Sequence, residues 1–293
     1  MITAVGIVAK RGLTAAAPHL VRLTEWLTGR GLPAVVDHDT AALIGSAENV
    51  RVVSRDDLPG LVDLVVVLGG DGTLLGIADR VGGSSLQTPI LGVNFGRLGF
   101  LTEVTLPEML AALAAAVDGT APMQERAMLH ARAMSGGTAY ADHIVLNDVV
   151  ITKGAISRLI YLAVSVDDHF VTNVKADGLI IGSPTGSTAY NLAAGGPIVH
   201  PAVDALLLTP IAPHTLTNRP VVIPASSDVH VRPIMDAQDE VFVTFDGQRG
   251  FALHPNDLIT IRRAARPLRM VKSSQRSYFD LLREKLKWGG DNR

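Results

Sequence analysis

The chain has 293 residues, of which 47% are hydrophobic and 18% charged, and its formal net charge is -2. This composition excludes a largely disordered chain, gives no basic surface for duplex nucleic acid, and, without cysteine, excludes disulfides, thiolate zinc sites and cysteine nucleophiles. The sequence has neither an apolar run long enough to span a membrane nor a signal-peptide pattern, so we expect a cytoplasmic protein with no membrane or nucleic-acid partner.

The first part of the chain alternates between patterns typical of strands and patterns typical of helices. Apolar runs predict strands at residues 2–8, 32–36, 64–68 and 89–93. Helical patterns are found at residues 14–28, 73–81 and 106–117. This order predicts an α/β fold class, with an N-terminal open parallel sheet covered by helices on both faces.

The pattern changes near residue 122. Short β-rich runs follow, separated by turn sequences such as SGG, DDH, DGQRG and HPND. An amphipathic segment at residues 278–288 predicts a final helix. We therefore predict an α/β domain at residues 1–122, a β-rich domain at 123–270 and a tail at 271–293.

The segment LVVVLGGDGT at residues 64–73 ends a buried strand with three glycines around one carboxylate, that of Asp71. Ligands of open parallel sheets lie beyond the carboxyl ends of the strands. Glycines at 69, 70 and 72 allow backbone N–H groups to approach phosphate oxygens closely. Asp71 would then hold a magnesium ion or accept a proton from a hydroxyl that attacks a phosphoryl group. The alternative is a tight turn in which Asp71 caps the next helix.

Two further segments carry polar groups where strands are expected. Residues 177–190, DGLIIGSPTGSTAY, suit a loop around a ligand with phosphates, ribose hydroxyls and a base edge, or else a Ser/Thr-rich turn. Asn147 and Asp148 interrupt the apolar run HIVLNDVVIT. This pair is suited to binding a diol, or else it forms a bulge or a satisfied pair in the core.

Together, several segments resemble the NAD kinases over nearly the whole chain. They are GGDGT at 69–73, NFGRLGF at 94–100, LNDVVI at 146–151, DGLIIGSPTGSTAYNLAAGGP at 177–197 and HTLTNRPVVIP at 214–224. GGDG alone is not specific, because it is similar in lipid kinases and phosphofructokinases. The long TGSTAY segment together with the Asn–acid pair is specific to the NAD kinases.

The resemblance implies an enzyme, a phosphotransferase with an alcohol group as acceptor. It would phosphorylate the adenosine 2′-hydroxyl of NAD with ATP and a divalent metal cation, Mg²⁺, to make NADP. It also implies an N-terminal α/β domain, a C-terminal β-rich NAD-binding domain, and a tail helix that packs back on the N-terminal domain. Relatives generally form homodimers or homotetramers. The metal ligands are not identified by the resemblance.

The resemblance also implies roles for individual residues. Asp71 is the catalytic base, and with Gly72 it lines the NAD site, while Asn147 and Asp148 bind the adenosine part of the substrate. The residues that enclose base and ribose are Thr188, Ala189, Tyr190, Asn191, Leu192 and Ala193. Phe95 borders the adenine pocket, and the positions that match further binding residues are Arg158, Lys175, Asp177 and Gln248. Most relatives carry glutamate where Asp148 stands, so its carboxylate reaches about one methylene less far.

Two alternatives accompany this prediction. A GGDG-type lipid kinase would share the base at Asp71, but TGSTAY favours a nucleoside pocket over an apolar acyl-binding cleft. A non-catalytic NAD(P)-binding sensor would share the pocket without turnover, and the intact Asp71 argues against it.

Overall fold

The computed structural model describes residues 2–45, 49–84, 87–154, 159–215, 217–236, 239–273 and 275–288. The chain forms two compact units. The first unit contains Met1–Glu125 and Leu268–Arg293, and the second contains Arg126–Pro267.

Helices and strands are numbered here in chain order. The α-helices are α1 (Ala17–Gly29), α2 (His38–Ile44), α3 (Asp71–Gly83), α4 (Met109–Val117), α5 (Tyr190–Ala193) and α6 (Tyr278–Leu286). Short 3₁₀ helices lie at Thr14–Ala16, Leu58–Gly60, Leu106–Glu108 and Thr185–Thr188. The strands are β1 (Val5–Ala9), β2 (Ala34–Asp37), β3 (Val50–Val53), β4 (Leu64–Gly69), β5 (Ile90–Asn94), β6 (Val104–Thr105), β7 (Met123–Arg126), β8 (Leu129–Ser135), β9 (Thr138–Val145), β10 (Asp148–Lys153), β11 (Ile160–Val166), β12 (His169–Ala176), β13 (Gly178–Gly182), β14 (Ala205–Ile211), β15 (Val221–Pro224), β16 (Val229–Ile234), β17 (Val241–Phe245), β18 (Arg249–Leu253), β19 (Leu258–Arg263) and β20 (Leu268–Val271).

The first unit is built on a mostly parallel sheet, which confirms the predicted α/β architecture. Its strand order is β3-β2-β1-β4-β5-β20-β7, with β6 paired to β5. The pairs from β3 to β20 are parallel. Strand β4 is buried along its whole length, as its unbroken apolar sequence predicts for a strand covered on both faces. In α1, the buried side chains of Leu20, Leu23 and Leu27 recur at helical spacing and pack into the same core.

The structure adds elements that the sequence patterns did not predict. Helix α2 begins at a cap, where the side chain of Asp37 accepts a hydrogen bond from the backbone N–H of Thr40. Strand β20 joins the sheet of the first unit, with Met270 opposite Ile90 on β5. Residues 123–125 and 268–270 therefore lie in the first unit, although the predicted boundaries assign them to the β-rich domain.

The last helix also belongs to the first unit. Ser277 and Asp280 form a capping box at the start of α6. Just before it, Arg276 contacts Glu108, with Nη1 3.0 Å from Oε2. Among the helices that the structure describes, none combines the length and the apolar character needed to span a bilayer.

The second unit is β-rich, as predicted, and consists of two antiparallel sheets. The described residues form one sheet in the order β15-β14-β13-β10-β17-β18 and another in the order β12-β11-β16-β19-β8-β9. One cluster of buried side chains, drawn from both sheets, fills the unit. It includes Val149 and Ile181 from the first of these sheets and Leu162 and Ile259 from the other.

The run HIVLNDVVIT is divided between the two sheets rather than forming one strand. Val145 ends β9 and pairs with Leu129, whereas Asp148 begins β10 and pairs with Gly182. Asn147 therefore lies where the chain passes from one sheet to the other. A polar pair inside an apolar run here marks a change of sheet and not a bulge within one strand.

Candidate active site

Asp71 lies in the first turn of α3, directly after the buried strand β4. Its side chain reaches a later segment of the chain. Oδ2 accepts a hydrogen bond from the backbone N–H of Phe100 at 2.8 Å. Oδ1 accepts three bonds of 3.0 Å, from the backbone N–H groups of Leu101 and Thr102 and from the Thr102 hydroxyl. The carboxylate is therefore fixed by four hydrogen bonds, and Oδ2 keeps the larger remaining capacity to accept another.

The segment that holds Asp71 is itself anchored to the end of β5. The side-chain amide of Asn94 donates to the carbonyl of Arg97 at 2.7 Å and to the Thr102 hydroxyl oxygen at 3.0 Å. Gly99 is required for the close approach, because a Cβ atom there would overlap Asp71 Oδ1 and Thr102 Oγ1. The NFGRLGF segment thus has a structural task, since it supplies the loop that orients the carboxylate.

The glycines around Asp71 differ in what surrounds them. A Cβ atom on Gly69 would collide with the side chain of Thr73, so this glycine allows β4 and α3 to pack closely. Gly70 and Gly72 have no atoms within 4 Å of a Cβ position, so the space above them is open. Phe95 lies beside this turn, because its backbone N–H donates to the carbonyl of Gly69 at 2.9 Å.

No group of three or more His, Cys, Asp or Glu side chains suited to holding a metal ion is found among the described residues. A magnesium ion in a phosphotransferase is commonly held by one or two carboxylates together with the substrate phosphates. The described residues do not fit a cage made only of side chains, and they are compatible with a metal ion that is held mainly by the substrate phosphates.

In the second unit, Asn147 and Asp148 lie against the Ser/Thr-rich loop. The backbone N–H of Ser183 donates to the Asn147 carbonyl at 2.8 Å, and the Ser183 hydroxyl donates to the Leu146 carbonyl at 2.5 Å. Gly186 also packs here, and a Cβ atom on it would overlap the Asn147 backbone. The structure therefore brings the predicted Asn–acid pair together with the second half of the predicted ligand loop, whereas residues 178–182 of that segment form strand β13 and not a loop.

Asp246 is a residue of this region that the sequence patterns did not identify as part of a site. Its side chain is buried, and Oδ1 accepts hydrogen bonds from the backbone N–H groups of Asn147 at 2.7 Å and Asp148 at 3.1 Å. Oδ2 accepts from the N–H of Leu146 at 2.7 Å. The available signal was the Asp-Gly pair between two strand-like runs, which indicated a hairpin turn but not a contact a hundred residues back along the chain.

Asp148 is an acid in an unfavourable environment for its charge. Its side chain is buried, and burial, together with the nearby Asp246 carboxylate, raises the pKa of Asp148 from 3.8 to about 7. Its pKa is therefore near the pH of the cell, so both protonation states of this predicted substrate-binding group are populated there.

The raised pKa predicts how the stability of the protein depends on pH. Between about pH 4 and pH 7 the folded chain keeps a proton on Asp148 that the unfolded chain has lost, so stability falls as pH rises through this range. Replacing Asp148 by asparagine removes this pH-dependent change in the free energy of unfolding, which is at most about 4 kcal/mol. We expect the melting temperature of the parent, relative to Asp148→Asn, to fall between pH 5 and pH 8. Parallel curves of melting temperature against pH would contradict the raised pKa.

The residues from 188 to 193 divide into exposed and buried groups. Tyr190 and Ala193 are exposed and Thr188, Ala189 and Leu192 are half-buried, whereas Asn191 is fully buried. The amide of Asn191 donates to the carbonyls of Ser187 and Pro197, and its oxygen accepts from the Thr209 hydroxyl at 2.6 Å. Asn191 therefore holds the loop in place, and a contact of its side chain with a ligand stays a prediction.

The remaining predicted binding residues are not gathered at one place. Gln248 is exposed and follows Asp246 by two residues in the β17–β18 turn. Asp177 directly precedes β13, roughly 17 Å from the end of that strand that pairs with Asp148, and Lys175 lies two residues earlier on β12. Lys175 lies over the ring of Tyr161, and Asp177 pairs with Lys153 at 3.1 Å. Arg158 lies outside the described residues.

Comparison with known protein families covers both units. Residues 5–121 match the ATP-NAD kinase N-terminal domain, and residues 146–273 match the ATP-NAD kinase C-terminal domain. The chain belongs to the ATP-NAD kinase family. As a member of this family it is a kinase that phosphorylates NAD with ATP. The comparisons support neither the sensor nor the lipid-kinase alternative.

Individual relatives agree with the family assignment. The chain is 49% identical to the NAD kinase of Geotalea daltonii over 267 residues, which covers 91% of this chain and 92% of that protein. It is 41% identical to the NAD kinase of Solibacter usitatus over 289 residues, covering 99% of both. Among solved structures, a yeast NADH kinase in complex with NADH matches with a TM-score of 0.90 at 25% identity, covering 100% of this chain and 89% of that one.

Proposed function

We propose that this member of the family transfers the phosphoryl group of ATP to the adenosine 2′-hydroxyl of NAD, with Asp71 as the group that takes the hydroxyl proton. The observation that carries this proposal is the position of the Asp71 carboxylate. Four hydrogen bonds hold it at the carboxyl end of a central parallel strand, and Oδ2 retains room to accept another donor.

The chemistry requires little more of Asp71 than correct placement. A ribose hydroxyl is too weak an acid to be deprotonated before the reaction, and phosphoryl transfer passes through a loose transition state in which positioning and charge neutralisation dominate. A carboxylate that accepts the hydroxyl hydrogen bond orients the attacking oxygen and takes its proton late in the reaction. The loop at residues 100–102 suits this role because its N–H groups hold the carboxylate in one orientation.

The start of α3 supports a role in contacting phosphate. The first N–H groups of a helix have no partner within it, and the helix dipole favours an anion at this end. Gly72 is exposed, and no atom lies within 4 Å of a Cβ position on Gly70 or Gly72, so there is open space at this end of the helix. A divalent metal, which we expect to be Mg²⁺ brought by ATP, would neutralise phosphate charge during transfer.

The second unit supplies groups suited to the nucleoside. Asn147 offers an amide and Asp148 a carboxyl group, a combination that both donates to and accepts from ribose hydroxyls and a base edge. The half-buried and exposed residues from Thr188 to Ala193 would enclose the ring systems. An assembly as a homodimer or homotetramer and a cytoplasmic location stay predictions.

The test is an assay of the purified protein with NAD, ATP and magnesium chloride, in which NADP is detected by an NADP-specific dehydrogenase. We expect NADP to form, EDTA to abolish its formation, and an NAD analogue lacking the adenosine 2′-hydroxyl to accept no phosphate. Phosphorus NMR of the product distinguishes a 2′-phosphate from a phosphate on another hydroxyl. Absence of NADP, or phosphate on a different oxygen, would contradict the proposal.

A further inference from the structure

We propose that Asp246 is a positioning residue for dinucleotide binding, which fixes the backbone from which Asn147 and Asp148 project without touching the substrate itself. This inference rests on the proposed function, since it assigns Asp246 to the binding of the same dinucleotide. It concerns binding of NAD and not the transfer step.

The turn that carries Asp246 is built to present its carboxylate. Asp246 and Gly247 both have positive φ angles, +49° and +62°, and the N–H of Gln248 donates to the Phe245 carbonyl at 2.9 Å. The two positive φ angles and this hydrogen bond are those of a tight turn for which Asp-Gly is a favoured sequence, and the flanking strands pair Phe245 with Arg249 around the three turn residues. The backbone N–H of Asp246 also donates to the carbonyl of Asp148 at 3.0 Å, so the turn and the segment are bonded in both directions.

The segment 146–148 is held from two sides. Asp246 accepts its three consecutive N–H groups, while Ser183 donates to the carbonyls of Leu146 and Asn147. Since this segment is the crossing between the two sheets, neither sheet alone fixes its conformation. Loss of the Asp246 carboxylate would leave buried N–H groups without their partner, and the segment would have to shift. The side chains of Asn147 and Asp148 would move with it.

Asp246 also affects the charge of Asp148. On the β13 side Asp148 faces Gly182, which does not titrate, and on the β17 side it faces the Asp246 carboxylate. Arg249, opposite Phe245 on β18, has an exposed side chain. Removing the negative charge of Asp246 therefore lowers the pKa of Asp148, although burial still holds that pKa above its usual value. Because a carboxylate accepts from both hydroxyls of a diol, we expect dinucleotide binding to strengthen as Asp148 ionises.

The test compares Asp246→Asn with the parent by steady-state kinetics. Asparagine tolerates the positive φ and keeps the shape of the side chain, but it loses the charge and one acceptor. We expect KM for NAD to rise at least tenfold, KM for ATP and kcat to change less than about threefold, and the pH midpoint of kcat/KM for NAD to move to lower pH.

Asp257→Asn is the matched control. Asp257 is another buried aspartate in the second unit and accepts from the N–H of His254 at 2.9 Å and the Tyr140 hydroxyl at 2.8 Å. This variant should melt at a lower temperature than the parent and keep its KM for NAD. An unchanged KM and pH midpoint in folded Asp246→Asn would overturn the inference, whereas failure of the parent to make NADP would overturn the proposed function instead.

If Asp246→Asn does not fold, the pH dependence of dinucleotide binding is measured in the parent protein and in Asp148→Asn instead. Calorimetric titration with NAD, which keeps both ribose hydroxyls and has no group that titrates in this range, between pH 5.5 and pH 8.5 should show an affinity that changes near pH 7 in the parent and stays flat in Asp148→Asn. The same pH dependence in both proteins would overturn the effect on binding that is assigned here to the charges of Asp148 and Asp246.

Discussion

Asp71→Asn is expected to lower kcat by about two to four orders of magnitude while KM for NAD stays nearly unchanged. Asparagine has the size of aspartate, so it can take the same place at the start of α3. It cannot accept a proton, however, and its amide group would face the N–H of Phe100 where Oδ2 now accepts a hydrogen bond. The attacking hydroxyl would lose both its orientation and the destination of its proton.

Steady-state kinetics, together with calorimetric measurement of NAD binding, checks this expectation. Asp79→Asn is the matched control, because Asp79 lies on the same helix and contacts Arg80 rather than the loop at residues 100–102. The control should retain the kcat of the parent. Equal rates for the parent and Asp71→Asn would refute the role of Asp71 as the base.

Gly99→Ala is expected to lower kcat by roughly 100-fold although it leaves the Asp71 carboxylate in the protein. The added Cβ atom would occupy the space of Asp71 Oδ1 and Thr102 Oγ1, so the carboxylate would have to move away from its hydrogen-bond donors. This substitution therefore tests whether the position of the Asp71 carboxylate matters for kcat while the carboxylate itself is still present. The effect should be mainly on kcat, because Asn147, Asp148 and the segment from Thr188 to Ala193, which are proposed to bind the nucleoside, lie in the other unit.

Gly83→Ala provides the comparison for Gly99→Ala. Gly83 ends α3, and a Cβ atom there would have no neighbour within 4 Å. Circular dichroism should show both variants folded at the assay temperature. A folded Gly99→Ala protein with the kcat of the parent would show that the placement of Asp71 by this loop is not needed for catalysis.

Much of the fold follows from local sequence patterns. The run at residues 64–68 is apolar and rich in valine, which predicts a strand buried on both faces, and β4 is such a strand. The predicted helix at 106–117 corresponds to a 3₁₀ turn followed by α4. Thr105 and Glu108 form a capping box at the start of the 3₁₀ turn. Strand β3 and helix α2 are short and were not predicted from their sequences, since four to seven residues give little periodicity.

The motifs of the candidate site could be predicted from the sequence, but the residues that hold those motifs in place could not. The glycines and Asp71 predict a ligand site from the sequence. The four donors that hold the Asp71 carboxylate, however, lie about thirty residues later in the chain. The Asp246 contact spans about a hundred residues and depends on the pairing of β17 with β10, which places Phe245 opposite Val149. Contacts of this kind are set by tertiary packing, which a single sequence does not specify. The sequence also gave no sign that Asn147 marks a crossing between sheets.

The most direct test of the account is a crystal structure of the wild-type protein with NAD and a non-hydrolysable ATP analogue. We expect Asp71 Oδ2 to lie within about 3.2 Å of the adenosine 2′-oxygen, or to reach it through one water, while the bonds from residues 100–102 persist. A carboxylate that remains bound to this loop but lies beyond the reach of the ribose, with no bridging water, would contradict it.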